Sequence, residues 1–507
     1  MAYNQRIARR TIGHATVAEI SSHVIAMTPR HGLLRNISYS ALARVVAMAF
    51  QLASSIVLSR HLGAHDYGVV GFALIFINFL TQFHDLGLNT AAVQAKTLEE
   101  EALATGFWMK SALGAAMCGI AMLAAPAAGW FFAEPAVTAA LRVLSLNFAI
   151  GALAFIPATL LTRALNYRAI SMAQILSTIA SGIVAIGLAL NGAGYWSIVL
   201  GNVAATLTFV VSMNVACPHR IDFRFDVGHA RSLAQYGLSL FGSGLVIFAL
   251  FNADNFLIGS TGGADALGYY TVAFSWGAMI AVTMSLVVNT VLFPTFSRIQ
   301  FDRSQLRATY LTALHYISAV GILVNTTLFF VAPELLVALL GRGTDKWLPA
   351  LDALRVLCVY GISRVILEPL GSVIMAVGKP GVMFRTNLFV AALEIALLYP
   401  ALVYGGIVGA AAVVTVAYTM QYALYYGFYR RELAIGWREL SAAVAPAAFA
   451  AAAVAPPLLF ANRVITEHTA FALVLKTLVC VLTYGVAFGS VTRWRLLAEL
   501  RRRWSKA

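Results

Sequence analysis

The sequence predicts an all-α integral membrane protein with about 14 transmembrane helices, set out as two six-helix lobes and a C-terminal helix pair. Three observations carry that prediction. Of the 507 residues 60% are hydrophobic and 11% charged, where ordinary globular domains hold roughly a quarter charged residues. Apolar runs of about 20 residues, long enough to cross a bilayer core, recur along nearly the whole chain. Lys and Arg, finally, are shared very unevenly between alternate loops.

Residues 1–37 are polar and basic and lack a continuous apolar core followed by a cleavage site. They read as a cytoplasmic segment ahead of an uncleaved signal anchor, not as a removable signal peptide. Apolar runs bounded by charges, Gly or Pro then mark the spans. The first lobe, 38–216, holds 38–58, 67–84, 105–125, 138–161, 170–190 and 195–216. A polar, basic linker covers 217–235. The second lobe, 236–428, holds 236–258, 267–293, 312–331, 354–377, 382–404 and 407–428. The last pair, within 440–491, is 440–460 and 471–491, followed by a basic tail over 492–507. Ala332 to Leu340 is apolar but too short to cross, and reads as an interfacial helix in an outer loop.

With the N-terminus inside, the even-numbered loops and both tails hold 24 of the 35 Lys and Arg, and the odd-numbered loops hold four: Arg60, Arg342, Lys346 and Arg463. That bias fits the positive-inside rule and places both termini in the cytoplasm. The tail residues Arg493, Arg495, Arg501, Arg502, Arg503 and Lys506 then lie near anionic headgroups. A weak internal repeat supports the two lobes. Gly63-Ala64 and Gly68 recur 200 residues later as Gly263-Ala264 and Gly268, each set after the first span of a six-span half. Parallel repeats of this kind place a binding site between two lobes.

The net charge of +14 does not indicate nucleic acid. The basic residues sit in short loops and at the ends, with no run interleaved with stacking aromatics. Cys118, Cys217, Cys358 and Cys480 are far apart, and no CxxC or Cys/His spacing exists, so neither a disulfide framework nor a metal site is expected. No Walker-type phosphate loop is present. The acids of the longest outer loop (Glu334, Asp345, Asp352) are scattered, and no catalytic constellation stands out. No resident cofactor is called for.

Ionisable residues inside spans mark internal pathways, because each costs free energy in hydrocarbon. Lys110, Arg142, Arg355, Asp85 and Lys476 lie within about two turns of a span end, where long side chains snorkel to the interface. Arg44 and Asp254 are intermediate in depth, and Arg364, Glu368 and Glu394 are the deepest. Arg364 and Glu368 stand at i and i+4, where they can pair. Such a pair either packs spans together or opens when an anionic headgroup competes for the arginine. Pro369, next in sequence, weakens the helix there. The basic excess suits an anionic cargo such as a diphosphate, for which arginine offers planar multi-donor recognition.

Several local sequences resemble the Wzx/WzxC-like polysaccharide flippases of the multidrug/oligosaccharidyl-lipid/polysaccharide (MOP) superfamily. Leu58-Ser59-Arg60-His61-Leu62-Gly63-Ala64-His65-Asp66-Tyr67-Gly68 resembles that family's first outer loop, and Asp85-Leu86-Gly87-Leu88 its D-x-G-L signature. Arg163-Ala164-Leu165-Asn166-Tyr167-Arg168 and Gly194-Tyr195-Trp196 follow in order. Asp254-Asn255-Phe256-Leu257-Ile258-Gly259, Leu267-Gly268-Tyr269-Tyr270, Pro294-Thr295-Phe296-Ser297-Arg298-Ile299-Gln300 and Gly378-Lys379-Pro380 complete the set, over about residues 36–430. His65, where the family has a small residue or proline, and spans 13–14 depart from the pattern. In the first loop, Asp66 and Gly63 suit a tight turn with glycine at positive φ.

The resemblance implies a MATE-like, two-lobed transporter working by alternating access in the bacterial inner membrane. It would carry an undecaprenyl-diphosphate-linked oligosaccharide outward for exopolysaccharide, O-antigen or capsule synthesis. Arg44, Lys110 and Arg364 would hold the diphosphate, while Asp85, Asp254, Glu368 and Glu394 would gate or couple movement to H⁺ or Na⁺. Membrane lipids and the polysaccharide polymerase or export machinery are the implied partners. Three rivals stay open: a cation-coupled drug exporter of the same superfamily, a membrane glycan ligase or polymerase, and a scaffold without transport.

Overall fold

The computed structural model describes residues 33–85, 87–94, 99–164, 166–219, 222–465 and 467–504, and no strand occurs among them. The helices are α1 (Leu33–His61), α2 (Ala64–Asp85), α3 (Leu88–Gln94), α4 (Glu100–Phe131), α5 (Pro135–Ala152), α6 (Phe155–Arg163), α7 (Tyr167–Leu190) and α8 (Trp196–Ala216). They continue as α9 (Val227–Gly277), α10 (Met279–Val287), α11 (Phe293–Ile299), α12 (Arg303–Glu334), α13 (Leu351–Ala376), α14 (Pro380–Leu424), α15 (Trp437–Val464) and α16 (Ala470–Trp504). Local chemistry sets many of the ends. Asn166 caps α7 by accepting from the Ala169 N–H at 3.2 Å, and Asp302 caps α12 through the Ser304 and Gln305 N–H groups, both at 3.0 Å.

Among the described residues ten helical segments are long and apolar enough to cross a membrane. The count of about 14 expected above divides two of these at glycine breaks and adds α1 and α13. The breaks are Gly263 in α9 (φ 73°) and Gly406 in α14 (φ 55°), left-handed conformations that cost glycine little.

By contacts the chain forms two compact units. Among the described residues, the first comprises the chain up to Leu62 together with Phe72–Phe248, and the second Gly63–Gly71 and the chain from Ala249 onward. In lipid no hydrophobic drive holds helices together, so close packing of small residues and buried polar bonds must do it. The first unit follows that rule. A Cβ on Gly114 of α4 would sit 2.6 Å from the Phe148 carbonyl of α5, and one on Gly201 of α8 3.1 Å from the Ser181 carbonyl of α7. The chain after α8 packs on α4, where the Trp108 indole donates to the Asp222 carbonyl at 3.0 Å and Thr105 Oγ1 accepts from the Asp226 N–H at 3.0 Å. A core of Leu103, Phe107, Phe155, Ile156, Leu161 and Met213 lies beneath.

In the second unit α13 is the central element. Gly361 meets Asn325 of α12 and the Gly277 carbonyl, and Gly321 of α12 meets Val365. Helices α15 and α16 close on α12 through Ala447, Ala450, Val454, Leu458, Cys480 and Tyr484. The Tyr484 hydroxyl donates to the Ala319 carbonyl at 2.8 Å.

Four expectations are corrected here. Ala332–Leu340 is no separate interfacial helix: α12 runs straight into a π-helical turn, Leu335–Leu340, with Leu335, Leu336, Val337 and Leu340 buried. Lys476 does not snorkel; it is 1% exposed and pairs with the equally buried Glu334. Gly63 has no positive φ; its N–H donates to Asp66 Oδ2 at 2.9 Å, the acidic arm of a capping arrangement that starts α2. Arg163 Nη1 donates to the Ala92 and Val93 carbonyls, both at 3.1 Å, and closes α3. Pro369 leaves α13 continuous from Leu351 to Ala376. All four cysteines are free and buried.

Candidate functional site

The predicted residues separate. The side chains of Arg44 and Asp85 lie outside the described residues. Lys110, in the first unit, is buried, and its ammonium donates to the His84 carbonyl near the end of α2 at 2.9 Å. That contact holds α4 against α2. Asp254, Arg364, Glu368 and Glu394 all belong to the second unit, and three of them gather around a group of tyrosines.

The gathering starts from the Gly263 break. It turns α9 back on itself, so Tyr270 returns beside Asp254 and its hydroxyl donates to Asp254 Oδ2 at 2.7 Å. Oδ1 accepts from the Asn255 N–H at 2.7 Å. Asp254 is 2% exposed. Glu394 lies before the Gly406 break of α14 and Tyr418 after it, so one helix supplies both. Glu394 is wholly buried, and neither carboxyl oxygen has a hydrogen-bond partner. An unpartnered buried carboxyl is costly as an anion. A proton or a bound cation relieves that cost.

Arg364 stands one turn after Tyr360 on α13. Its Nη1 donates to the Tyr360 hydroxyl at 2.9 Å, and its guanidinium lies 5.0 Å from the Phe251 ring centre. Phe251 is itself one turn before Asp254 on α9. The Tyr360 ring packs edge-on against Tyr418 at 4.8 Å and lies 5.4 Å from Phe274.

One sequence expectation fails here. Arg364 and Glu368 make no ion pair within 4 Å: the arginine takes the phenol one turn back. The i, i+4 spacing allows a pair without compelling one. Tyr270, Tyr360 and Tyr418 were not singled out by sequence. The signal that points to them is the tyrosine one turn from a deep arginine and the Gly-Tyr-Tyr run after the first break. Among the described residues no three His, Cys, Asp or Glu side chains cluster as a metal site.

The fold is that of a polytopic α-helical membrane protein. Its fold is that of MOP-superfamily proteins. A structure of the lipid II flippase MurJ in an inward closed conformation superposes with a TM-score of 0.72 at 15% identity, covering 90% of this chain and 99% of that one. An inward-facing MATE multidrug transporter gives 0.59 at 14% identity over 78% and 95%. A family profile described as "Polysaccharide biosynthesis protein" matches residues 57–352, and the chain belongs to that family. The lipopolysaccharide biosynthesis protein WzxC of Escherichia coli K12 is 23% identical over 78% of this chain and 79% of its own. The succinoglycan biosynthesis transport protein ExoT of Rhizobium meliloti is 24% identical over 69% and 70%.

Proposed function

We propose that the protein is a flippase that moves an undecaprenyl-diphosphate-linked oligosaccharide from the inner to the outer leaflet of the bacterial inner membrane, by alternating access. Both termini are cytoplasmic, and the cargo goes on to polysaccharide polymerase and export machinery. Membership of the polysaccharide biosynthesis family across residues 57–352 carries this reading.

The site supports it chemically. Arg364 is a mid-helix cation whose hydrogen-bond partner is a neutral phenol, so its charge stays available to a phosphate oxygen. Asp254 and Glu394 take up H⁺ or Na⁺, and Glu368 is a further acid on the same helix as the arginine. The membrane potential is worth about 2.3 kcal/mol per charge per 100 mV, enough to bias a cycle that moves charge.

Depletion tests the reading. Loss of the protein should leave lipid-linked glycan on the inner leaflet while its synthesis continues. Export at the normal rate, in a strain with no second flippase, overturns it. Loss of glycan synthesis itself would point to the ligase or polymerase class instead.

A further inference from the structure

We propose that Tyr360 and Phe251 position Arg364, presenting the Nε–Nη2 edge of its guanidinium so that the site prefers an oxyanion to a spherical anion. The inference rests on the reading of Arg364 as the cargo-binding cation given above, and adds what holds it and what that geometry selects.

Two contacts define the placement. Nη1 donates to the Tyr360 hydroxyl at 2.9 Å, and the guanidinium carbon lies 5.0 Å from the Phe251 ring centre. The anchor is itself held. Tyr360 is wholly buried, with its ring edge-on to Tyr418 at 4.8 Å and 5.4 Å from Phe274. The aromatic rings come from α9, α13 and α14, all within the second unit.

Covalent geometry then decides which donors remain. Nη1 lies on the Cδ side of the guanidinium, so Nε and Nη2 form the opposite edge, with two parallel N–H bonds spaced for two oxygens of one phosphate. Neither of these nitrogens makes a hydrogen bond among the described residues, and neither is fully buried. An aromatic ring covers the face of a guanidinium and leaves its in-plane donors free. The nearby acids do not take the edge. Asp254, one turn after Phe251, accepts from the Tyr270 hydroxyl and the Asn255 N–H, both at 2.7 Å. Glu368 makes no ion pair with Arg364. Tyr360 is also a neutral anchor: unlike a carboxylate, it orients the arginine without cancelling its charge.

Selectivity follows from the fixed edge. A long side chain gives up rotamer freedom when it binds, and one held beforehand has less to give up. A tetrahedral oxyanion uses that gain, because its two oxygens must meet two donors at once. A spherical anion accepts from any side of the guanidinium and gains little from a fixed one.

The test uses the purified full chain in nanodiscs, with inorganic pyrophosphate and iodide as probes. Binding of each is measured at constant ionic strength, and thermal unfolding is recorded for every variant. Tyr360→Phe keeps the packed ring and removes the acceptor; it should weaken pyrophosphate on the order of tenfold and leave iodide unchanged. Phe251→Leu should do the same by removing the ring against the guanidinium. Arg364→Lys keeps the charge without the two-pronged edge and should weaken pyrophosphate likewise; an unchanged preference there overturns the selectivity. Wild-type pyrophosphate affinity in both Tyr360→Phe and Phe251→Leu overturns the positioning role. So does an equal loss for both anions with a lowered melting temperature, which marks a merely structural contact. Failure of the reading beneath it shows separately: Arg364→Gln would bind pyrophosphate as well as the wild type.

Discussion

Gly68 and Gly268 mirror each other: a Cβ on Gly68 would land on the Ala264 carbonyl oxygen, and a Cβ on Gly268 on the Ala64 carbonyl oxygen. The two halves of the weak 200-residue repeat are thus packed on one another, small residue against backbone, within the second unit. Ala64-x-x-x-Gly68 and Ala264-x-x-x-Gly268 are small-xxx-small patterns that let helix backbones touch. Gly68→Ala or Gly268→Ala should each destabilise the fold by about 1–3 kcal/mol, the usual cost of overpacking. Thermal unfolding in detergent checks it. The double variant should cost less than the sum, since one substitution already parts the helices. Strictly additive losses would show that the two positions do not share a contact.

The Lys476–Glu334 pair predicts a rescue. Both side chains are at most 2% exposed, and His468 Nδ1 also lies 3.2 Å from Glu334 Oε1. Lys476→Met alone strands a buried acid and should cost about 3–5 kcal/mol. Adding Glu334→Gln removes the stranded charge and should restore most of that loss. A double variant as unstable as the single one would mean that the ion pair is not what holds α16 to the end of α12.

Glu394→Gln should cost little stability, because the carboxyl makes no hydrogen bond to lose. It should remove the cation dependence of transport while the protein reaches the membrane at normal levels. Unchanged cation dependence in both Glu394→Gln and Asp254→Asn would clear the acid pair of that role.

Asp302 predicts a pH effect outside the spans. Its carboxylate caps α12, and hydrogen bonds from Gln305 and Ser304 hold its pKa below the ordinary aspartate value. A depressed pKa means the stabilisation is present above the unfolded aspartate range, near pH 4, and is lost as pH falls through the lower folded value. Asp302→Asn keeps a capping side chain and should flatten that part of the acid-stability profile of α12, read by hydrogen exchange at Ser304 and Gln305. An unchanged acid slope would assign it to other groups.

Orientation is tested by labelling. In a background without the native cysteines, Thr344→Cys should react with an impermeant maleimide in intact cells, and Ser505→Cys should not. The reverse pattern would invert the topology.

Composition and apolar run length by themselves determined the all-helical membrane class, because a bilayer demands about 20 apolar residues and internal backbone hydrogen bonding wherever the chain crosses it. Those demands are local, so they are written in consecutive residues, as are the capping signals at Asn166 and Asp302. The ordered loop motifs were equally legible, and the family profile over residues 57–352 covers most of them. Depth along a span also marked Arg364, Glu368 and Glu394 as the deepest ionisable residues, with Arg44 and Asp254 intermediate. What depth does not reveal is the partner. Arg364 has Glu368 one turn ahead and Tyr360 one turn behind, and helical spacing permits either. The neighbours Phe251 and Tyr418, brought from α9 and α14, settle it for the tyrosine. Lys476 met its acid across 142 residues, a pairing no local window contains. Burial and partnership belong to helix packing, and packing is set by which glycines let which backbones approach. Only the tertiary structure decides that.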